Sequence, residues 1–194
     1  MLNSLPREIV QALRLTIVFA VVTGLVYGVG MTGLIQVLFH DQANGSLIMR
    51  NGQIVGSTLI GQSFSADKYF QGRYSANGYA ADNSAGSNLG PSNQSLIDRV
   101  ASSARAARQA NGLGPNDQVP VDLVTGDFSG FDPNISEASA LLQVNRVAQA
   151  RNLDPAKVRA LIEKHVHGRI LWLFGEQYVN VLEVNLALDA GEAG

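Results

Sequence analysis

The stretch LTIVFAVVTGLVYGVGMTGLIQVLF, residues 15–39, decides the architecture of this 194-residue chain, because it contains no Asp, Glu, Lys, Arg or His. At about 1.5 Å per residue, a helix over these 25 residues is roughly 37 Å long, enough to cross a hydrocarbon core of about 30 Å. No second stretch of the sequence is comparable. The sequence therefore predicts an N-terminal tail over residues 1–14, one transmembrane helix over 15–39 and a single domain over 40–194.

The charges on either side of the apolar stretch predict its orientation. Arg7 and Arg14 precede it, whereas no Lys or Arg follows it before Arg50. Lys and Arg close to a membrane helix tend to stay in the cytoplasm. We therefore expect a single-pass protein of the cell inner (plasma) membrane, with a cytoplasmic N-terminus and residues 40–194 outside, in the periplasm or extracellular space. A cleaved signal peptide is the alternative, but its apolar region is about 7–15 residues long and ends in small residues.

Small residues recur at every fourth position of the predicted helix, namely at Ala20, Gly24, Gly28 and Thr32. Gly24 and Gly28 also form a GxxxG motif. In lipid, small side chains allow the backbone of a second helix to come close, and such packing drives association. The spacing therefore favours a helix-packing face that meets a partner. Ordinary composition is the alternative, since glycine is frequent in membrane helices.

The composition of residues 40–194 excludes several classes of protein. Of the 14 Lys and Arg, two precede His40, and of the 16 Asp and Glu one does, so this part carries 12 basic and 15 acidic side chains. A nucleic-acid-binding protein needs a basic face, which this balance does not supply. The chain has no cysteine, which excludes disulfides and thiolate metal sites. About 155 residues are enough for one domain with its own core.

Local patterns in residues 40–194 predict a mixed α/β (α+β) domain. Asn51-Gly52 is typical of a type I′ hairpin turn, whereas residues 61–91 show neither a helical nor a strand period. Strands are expected at five ranges: 46–49, 53–60, 119–125, 169–174 and 178–188. Helices are expected to begin at three capping residues: Ser92, Ser136 and Asp154.

Residue types that carry catalysis or bind metals do not form a strong pattern. His165 and His167 are two residues apart, but a histidine at a helix end commonly interacts with the terminal carbonyls. Asp127 and Asp132 resemble a carboxylate pair for acid–base chemistry, and turn formation explains them as well. The sequence has no G-x-S-x-G nucleophile elbow and no G-x-x-x-x-G-K-[ST] phosphate loop. We expect no catalytic residues, no metal and no directly bound cofactor.

Two segments of the domain offer surface for binding a partner. KYFQGR at 68–73 combines aromatic and basic residues, which either dock a partner or pack in the core. GSNLGPSN at 86–93 offers many backbone and side-chain amide groups for binding, or it is only a compact turn that precedes a helix. The candidate partner-docking residues are Tyr69, Phe70, Arg73, Asn88, Gly90 and Asp132.

Six blocks of sequence carry a resemblance to a known family. They are GSTLIGQ at 56–62, YFQGR at 69–73, GSNLGPSN at 86–93, VDLVT at 121–125, DPNIS at 132–136 and VNVL at 179–182. In this order, behind one N-terminal membrane helix, they resemble the C subunit of the bacterial Kdp potassium-transporting ATPase (the KdpC family). The chain departs from the family at Tyr74, where proline is usual. The loop usually written TASGSGLDPHIS reads TGDFSGFDPNIS at 125–136, so no ligand role of that loop is carried over.

The resemblance implies a non-catalytic accessory subunit of a complex that imports potassium at the expense of ATP. The implied partners are membrane lipid, a channel-like subunit that binds potassium and a P-type subunit that binds and hydrolyses ATP. The resemblance further implies a role in assembly and as a catalytic chaperone that raises ATP affinity. Because the charges place residues 40–194 outside while ATP is cytoplasmic, that effect has to pass through membrane helices. A membrane-anchored periplasmic binding protein or hydrolase is the alternative.

Overall fold

The chain divides into two units, Met1–Leu47 and Ile48–Gly194, of which a computed structural model describes residues 5–193. The helices of the first unit are α1 (Leu5–Phe19), a π-helical segment (Ala20–Val26), α2 (Tyr27–Leu38) and the short α3 (His40–Ala43). Pro6–Leu38 together form a helix of 33 residues that is long and apolar enough to span a membrane. This helix includes all of the predicted span, residues 15–39, except Phe39, and begins nine residues earlier, at Pro6.

The threonine hydroxyl groups of the long helix form hydrogen bonds within the helix. Thr16, Thr23 and Thr32 each donate a hydrogen bond to the carbonyl four residues earlier, at 2.9, 2.7 and 2.8 Å. These bonds suit a helix in lipid, where no water is available to pair a polar group.

The second unit begins within β1 (Leu47–Arg50), which forms an antiparallel hairpin with β2 (Gln53–Ser57). Asn51 and Gly52 both have positive φ, at 51° and 76°, which a type I′ turn requires. The predicted hairpin is confirmed, and β2 ends three residues earlier than predicted. The 61–91 segment that follows contains no regular helix or strand, although the structure describes all of it.

Four helices and one short 3-10 turn (Val121–Leu123) form the rest of the second unit together with a sheet. The helices are α4 (Gln94–Ala110), α5 (Glu137–Arg151), α6 (Pro155–Lys164) and α7 (Val181–Asp189). Each N-terminus is capped by a side chain that accepts a backbone N–H of the first turn. The capping residues are, in chain order, Asn93, Ser136, Asp154 and Asn180. The caps predicted at Ser136 and Asp154 are confirmed, whereas Ser92 is wrong because its neighbour Asn93 fills that position.

A three-stranded antiparallel sheet lies against the helices. Its strands are β3 (Asn134–Ser136), β4 (Val166–His167) and β5 (Tyr178–Asn180), in the order β3-β5-β4. Ile135 is opposite Val179, and Val179 is opposite Val166 on the other side. The core contains apolar residues from the sheet, from α5, α6 and α7, and from the irregular segment, which contributes Phe70. The predicted α+β class is confirmed.

Three of the predicted strands are wrong. The 119–125 range forms the 3-10 turn, and 169–174 forms an exposed turn closed by a single bridge between Ile170 and Phe174. The 178–188 range is a strand only as far as Asn180. There the Asn180 Oδ1 accepts the N–H groups of Leu182 and Glu183, at 3.1 and 3.2 Å, and starts a helix.

Candidate functional site

Buried side-chain amides of α5 and α7 hold the middle of the irregular segment. The Asn185 amide accepts the Phe70 N–H at 2.8 Å and donates to the Phe70 carbonyl at 2.9 Å. Gln143 makes the same two bonds with Gln71, at 2.8 and 3.1 Å. Both amides are buried, and each replaces the partner that a neighbouring strand would supply. We call Gln143, Arg146 and Asn185 the clamp.

Arg146 supplies the charged part of the clamp. Its Nη1 donates to the carbonyls of Asp67 and Tyr69, at 2.6 and 3.1 Å, and its Nη2 donates to Gln143 Oε1 at 2.6 Å. Burial lowers the pKa of Arg146, and the charge of Asp67 opposes that change. Hydrogen bonds from a charged donor are stronger than neutral ones, so Arg146 fixes the path of the segment before Phe70.

Tyr69, which precedes Phe70, bonds to an ion pair at the end of α7. Its hydroxyl donates to Asp189 Oδ2 at 2.9 Å, and Arg151 donates to the other carboxylate oxygen at 2.7 Å. Burial alone would raise the pKa of Asp189, but the hydrogen bonds from Arg151 and Tyr69 outweigh it and the pKa is lowered. Phe70 is fully buried. Of these two candidate docking residues, Phe70 is a core residue, and Tyr69 is hydrogen-bonded to the Arg151–Asp189 ion pair of the same domain.

Arg73 and Asp132, both candidate docking residues, form an ion pair. Arg73 Nη1 lies 3.0 Å from Asp132 Oδ2, and Nη2 donates to the Gly126 carbonyl at 3.2 Å. The other Asp132 oxygen accepts the Asn134 N–H at 3.0 Å. The pair lines a depression that also includes Leu59. About a quarter of each charged side chain remains exposed, which leaves the pair accessible to a partner.

The loop before Asp132 is built around Asp127. Its Oδ2 accepts the N–H groups of Gly130 and Asp132, at 3.1 and 2.7 Å, and the Ser129 hydroxyl. Beside it, the Tyr79 hydroxyl donates to the Arg73 carbonyl at 2.6 Å. Burial, followed by the charges of Asp127 and Asp132, raises the pKa of Tyr79 to about 12, so this donor keeps its proton. These contacts favour the turn interpretation of Asp127 and Asp132 over a catalytic pair.

Asn88 and Gly90 line a second depression together with Arg99 and Phe128. Asn88 has a positive φ of 51°, and Phe128 is 86% exposed. The Arg99 guanidinium lies 4.6 Å from the Tyr74 ring centroid, so Tyr74 supports it by a cation–π contact.

Residues 126–128 line both depressions and join them. The structure thus brings four candidate docking residues to one surface and leaves Tyr69 and Phe70 at the clamp. We call this the ridge surface, with the residues Arg73, Asn88, Gly90, Phe128 and Asp132.

The predicted helix-packing face crosses from the π-helical segment into α2. Ala20 and Gly24 lie in the first, and Gly28 and Thr32 in the second. A step of four residues exceeds one turn of an α-helix by about 40°, and it falls short of one turn of the wider π-helix. The two rotations are in opposite directions, so the four small residues stay closer to one line along the helix. A Cβ added at Gly24 or Gly28 meets no described atom within 4 Å. The face is therefore open.

The two histidines near the end of α6 have separate contacts. His165 Nδ1 lies 2.9 Å from the Leu161 carbonyl, at the helix end. His167 Nε2 lies 2.8 Å from Glu183 Oε2, and its ring stacks on Tyr178 with centroids 4.8 Å apart. Across residues 5–193, no group of three or more His, Cys, Asp or Glu side chains is placed to hold a metal ion.

Sequence reasoning missed the clamp. Gln143 lies between Leu142 and Val144, and Asn185 interrupts an apolar run. A polar amide inside an otherwise buried helical stretch was the available signal, because such a group requires hydrogen-bond partners.

Comparisons with a family model and with known proteins indicate the same family. The KdpC family model, described as "K+-transporting ATPase, c chain", matches residues 9–190. The potassium-transporting ATPase KdpC subunit of Mycobacterium tuberculosis is 51% identical over 185 residues, which cover 94% of this chain and 98% of that protein. The KdpC subunit of Burkholderia orbicola is 53% identical over 182 residues, which cover 92% and 94%. That of Gloeobacter violaceus is 47% identical over 184 residues, which cover 94% and 96%. The chain therefore belongs to the KdpC family of potassium-transporting ATPase subunits.

Proposed function

We propose that this chain is a non-catalytic accessory subunit of an ATP-driven potassium importer and stabilises its assembly. Its partners in the proposal are a channel-like subunit that binds potassium and a P-type subunit that hydrolyses ATP. Family membership along residues 9–190 carries the proposal. The open small-residue face and the ridge surface supply two places for contact with such partners.

Co-purification tests the proposal most directly. A tagged chain, expressed from its own genome and extracted in mild detergent, should bring down two larger membrane subunits together with potassium-dependent ATPase activity. Recovery of the chain alone, with an intact membrane helix, would refute the proposal.

In the proposal, the second unit lies outside the cytoplasm. Arg7 and Arg14 support this orientation, since basic residues favour the cytoplasmic end of a helix. The chain has no cysteine, so single cysteines report their side of the membrane. In spheroplasts, a membrane-impermeant maleimide should label Asn145→Cys, at an exposed position of α5, and should reach Glu8→Cys only after lysis. The reverse pattern would overturn the orientation.

The proposal assigns the packing of a partner helix to the small-residue face. Gly28→Leu should reduce co-purification and ATPase activity, because a larger side chain keeps the partner backbone away. Gly30→Leu is the matched control, since Gly30 lies about 200° around α2 from Gly28. A Cβ at either glycine meets no described atom within 4 Å, so the chain itself has room for both changes. Equal losses in the two variants would remove the face from the proposal.

The proposed catalytic chaperone effect has to act through the membrane. With the second unit outside, this chain raises the ATP affinity of its partner only by binding one state of the pump more tightly than the other. Couplings of this kind are typically about 1–3 kcal/mol, or 5–150-fold in affinity. The KM for ATP of the purified complex should therefore rise several-fold when this chain is stripped away. An unchanged KM would leave the chain an assembly factor alone.

A further inference from the structure

An exposed apolar turn lies between β4 and β5 and contains no residue of the ridge surface. Its residues, which we call the apolar tip, are Ile170, Leu171, Trp172, Leu173 and Phe174, and they are between 60% and 93% exposed. Trp172 is the most exposed of the five. Bulky apolar side chains grouped in this way on a surface mark contact with another apolar phase.

Four backbone N–H groups of the apolar tip are paired within the turn. Ile170 and Phe174 exchange N–H···O bonds of 2.9 and 3.0 Å. The N–H groups of Trp172 and Leu173 donate to carbonyls within the same turn, each at 3.2 Å. Polar backbone groups that are already paired cost less to transfer into an apolar environment.

The apolar tip also carries backbone strain. Leu171 and Trp172 both have positive φ, at 52° and 59°, a region that bulky residues rarely adopt. Residues held in such conformations cluster at binding sites.

Contacts within the second unit connect the strand before the apolar tip to β1. His167, three residues before the tip, contacts Glu183, and Glu183 lines a depression together with Ile48 and Arg50 of β1. The chain enters the second unit at β1 from the membrane helix. Ile48 is ten residues after Leu38, the end of that helix, so at most about 35 Å of extended chain joins them. The tip thus follows a strand that is connected, through Glu183, to the depression at β1, where the tether joins the domain.

The composition of the apolar tip matches a lipid surface. Tryptophan is enriched at the lipid–water interface, where its ring sits at the level of the headgroups. Leu47 and Met49, at alternate positions of β1, add exposed apolar surface at the tether. We propose that the apolar tip inserts into the lipid–water interface of the membrane that holds the helix. The second unit then has a noncovalent contact with the bilayer in addition to its tether, independent of subunit assembly.

Trp172 is the single tryptophan of the chain, so its fluorescence reports the tip alone. The full chain is reconstituted at low density in phosphatidylcholine vesicles, with and without lipid brominated near the top of its acyl chains. At an interfacial depth of about 5–10 Å, bromine should strongly quench Trp172, and acrylamide in the water should reach it poorly. Emission typical of a water-exposed indole, with full access for acrylamide, would overturn the proposal.

Two variants distinguish insertion from other causes of quenching. Leu171→Asn should abolish most of the bromine quenching, because asparagine accepts positive φ but removes apolar surface. Ile97→Gln, at an exposed apolar position of α4, should leave the quenching unchanged. Unchanged quenching in Leu171→Asn contradicts insertion. Protection from acrylamide that is lost on further dilution of the protein indicates a second copy, and protection seen only with the other subunits indicates a protein partner; either result overturns the proposal.

Discussion

Replacing Asn185 by alanine should strongly destabilise the second unit. The Asn185 amide pairs both the N–H and the carbonyl of Phe70, at 2.8 and 2.9 Å, in a fully buried environment. A buried backbone group that loses its partner costs about 1–3 kcal/mol. With two groups affected, we expect Asn185→Ala to lower the free energy of unfolding by about 4 kcal/mol.

Thermal unfolding measures this loss. The apolar core lies wholly within the second unit, so a fragment of residues 44–194 is suited to circular dichroism without detergent. For a domain of this size, 1 kcal/mol shifts the Tm by about 2–4 °C, so the expected decrease is about 8–16 °C. Asn145→Ala, at an exposed position of α5, should change the Tm little. Asn185→Asp should be at least as destabilising as Asn185→Ala at neutral pH, because it loses the donor to the Phe70 carbonyl and buries an ionised carboxylate.

A decrease of about 2 °C or less in Asn185→Ala would refute the reasoning, because it would equal an ordinary surface change. The clamp would then be a consequence of the fold and contribute little to its stability. A large decrease would also bear on the ridge surface, since Arg73 is only two residues beyond the backbone that Gln143 holds.

Three further predictions concern the same unit. Asp122 accepts three hydrogen bonds from the start of α5, at 2.6–3.1 Å, so Asp122→Ala should cost about 2–4 kcal/mol, measured by urea unfolding. A Cβ at Gly61 would lie 2.6 Å from the Asp132 carbonyl oxygen, so Gly61→Ala should cost about 1–3 kcal/mol in the same assay, and an unchanged midpoint would contradict the contact. Because the pKa of Asp189 is lowered in the folded protein, its carboxylate stabilises the fold above its unfolded pKa of about 3.9, and this stabilisation is lost as the pH falls further. Asp189→Asn should therefore flatten the decrease in Tm between about pH 5 and pH 2, and a parallel decrease would argue against this origin.

Local signals in the sequence were enough wherever short-range chemistry decides the backbone. Asn51 and Gly52 fix the hairpin turn because they adopt positive φ easily. Ser136 and Asp154 fix helix starts because their side chains accept backbone N–H groups nearby.

The 178–188 range shows where such signals fail. Leu182, Val184 and Leu188 fit the alternation of a strand, but α7 is buried on most of its sides and therefore also buries Val181 and Asn185. A helix surrounded by core has no polar face from which its period could be read. The cap at its start decides the structure, and a single asparagine is a weak signal in a sequence.

The candidate site also contains a part that the sequence predicts and a part that it does not. Arg73 and Asp132 could be selected as binding residues from their types and neighbours, but their ion pair joins positions 59 apart. Asn185 and Phe70 are 115 positions apart. A buried amide has the same sequence signature as an exposed one unless the fold is known, so tertiary contacts of this length were beyond sequence reasoning.

The Arg73–Asp132 ion pair of the ridge surface suggests how the two proposed roles can be separated. The clamp holds the backbone just before Arg73, and the Arg73–Asp132 pair fixes two residues of the ridge surface. Residues that are ordered in advance lose little entropy on binding. A surface of this kind suits stable assembly better than switching. We therefore expect Asp132→Ala to reduce the yield of the complex while the KM for ATP of the complex that does form stays unchanged. Gly28→Leu, which alters the helix that crosses to the side of ATP in the proposal, should change both the yield and the KM. If Asp132→Ala shifts the KM as well, the second unit takes part in the coupling, and the membrane helix is not its sole route.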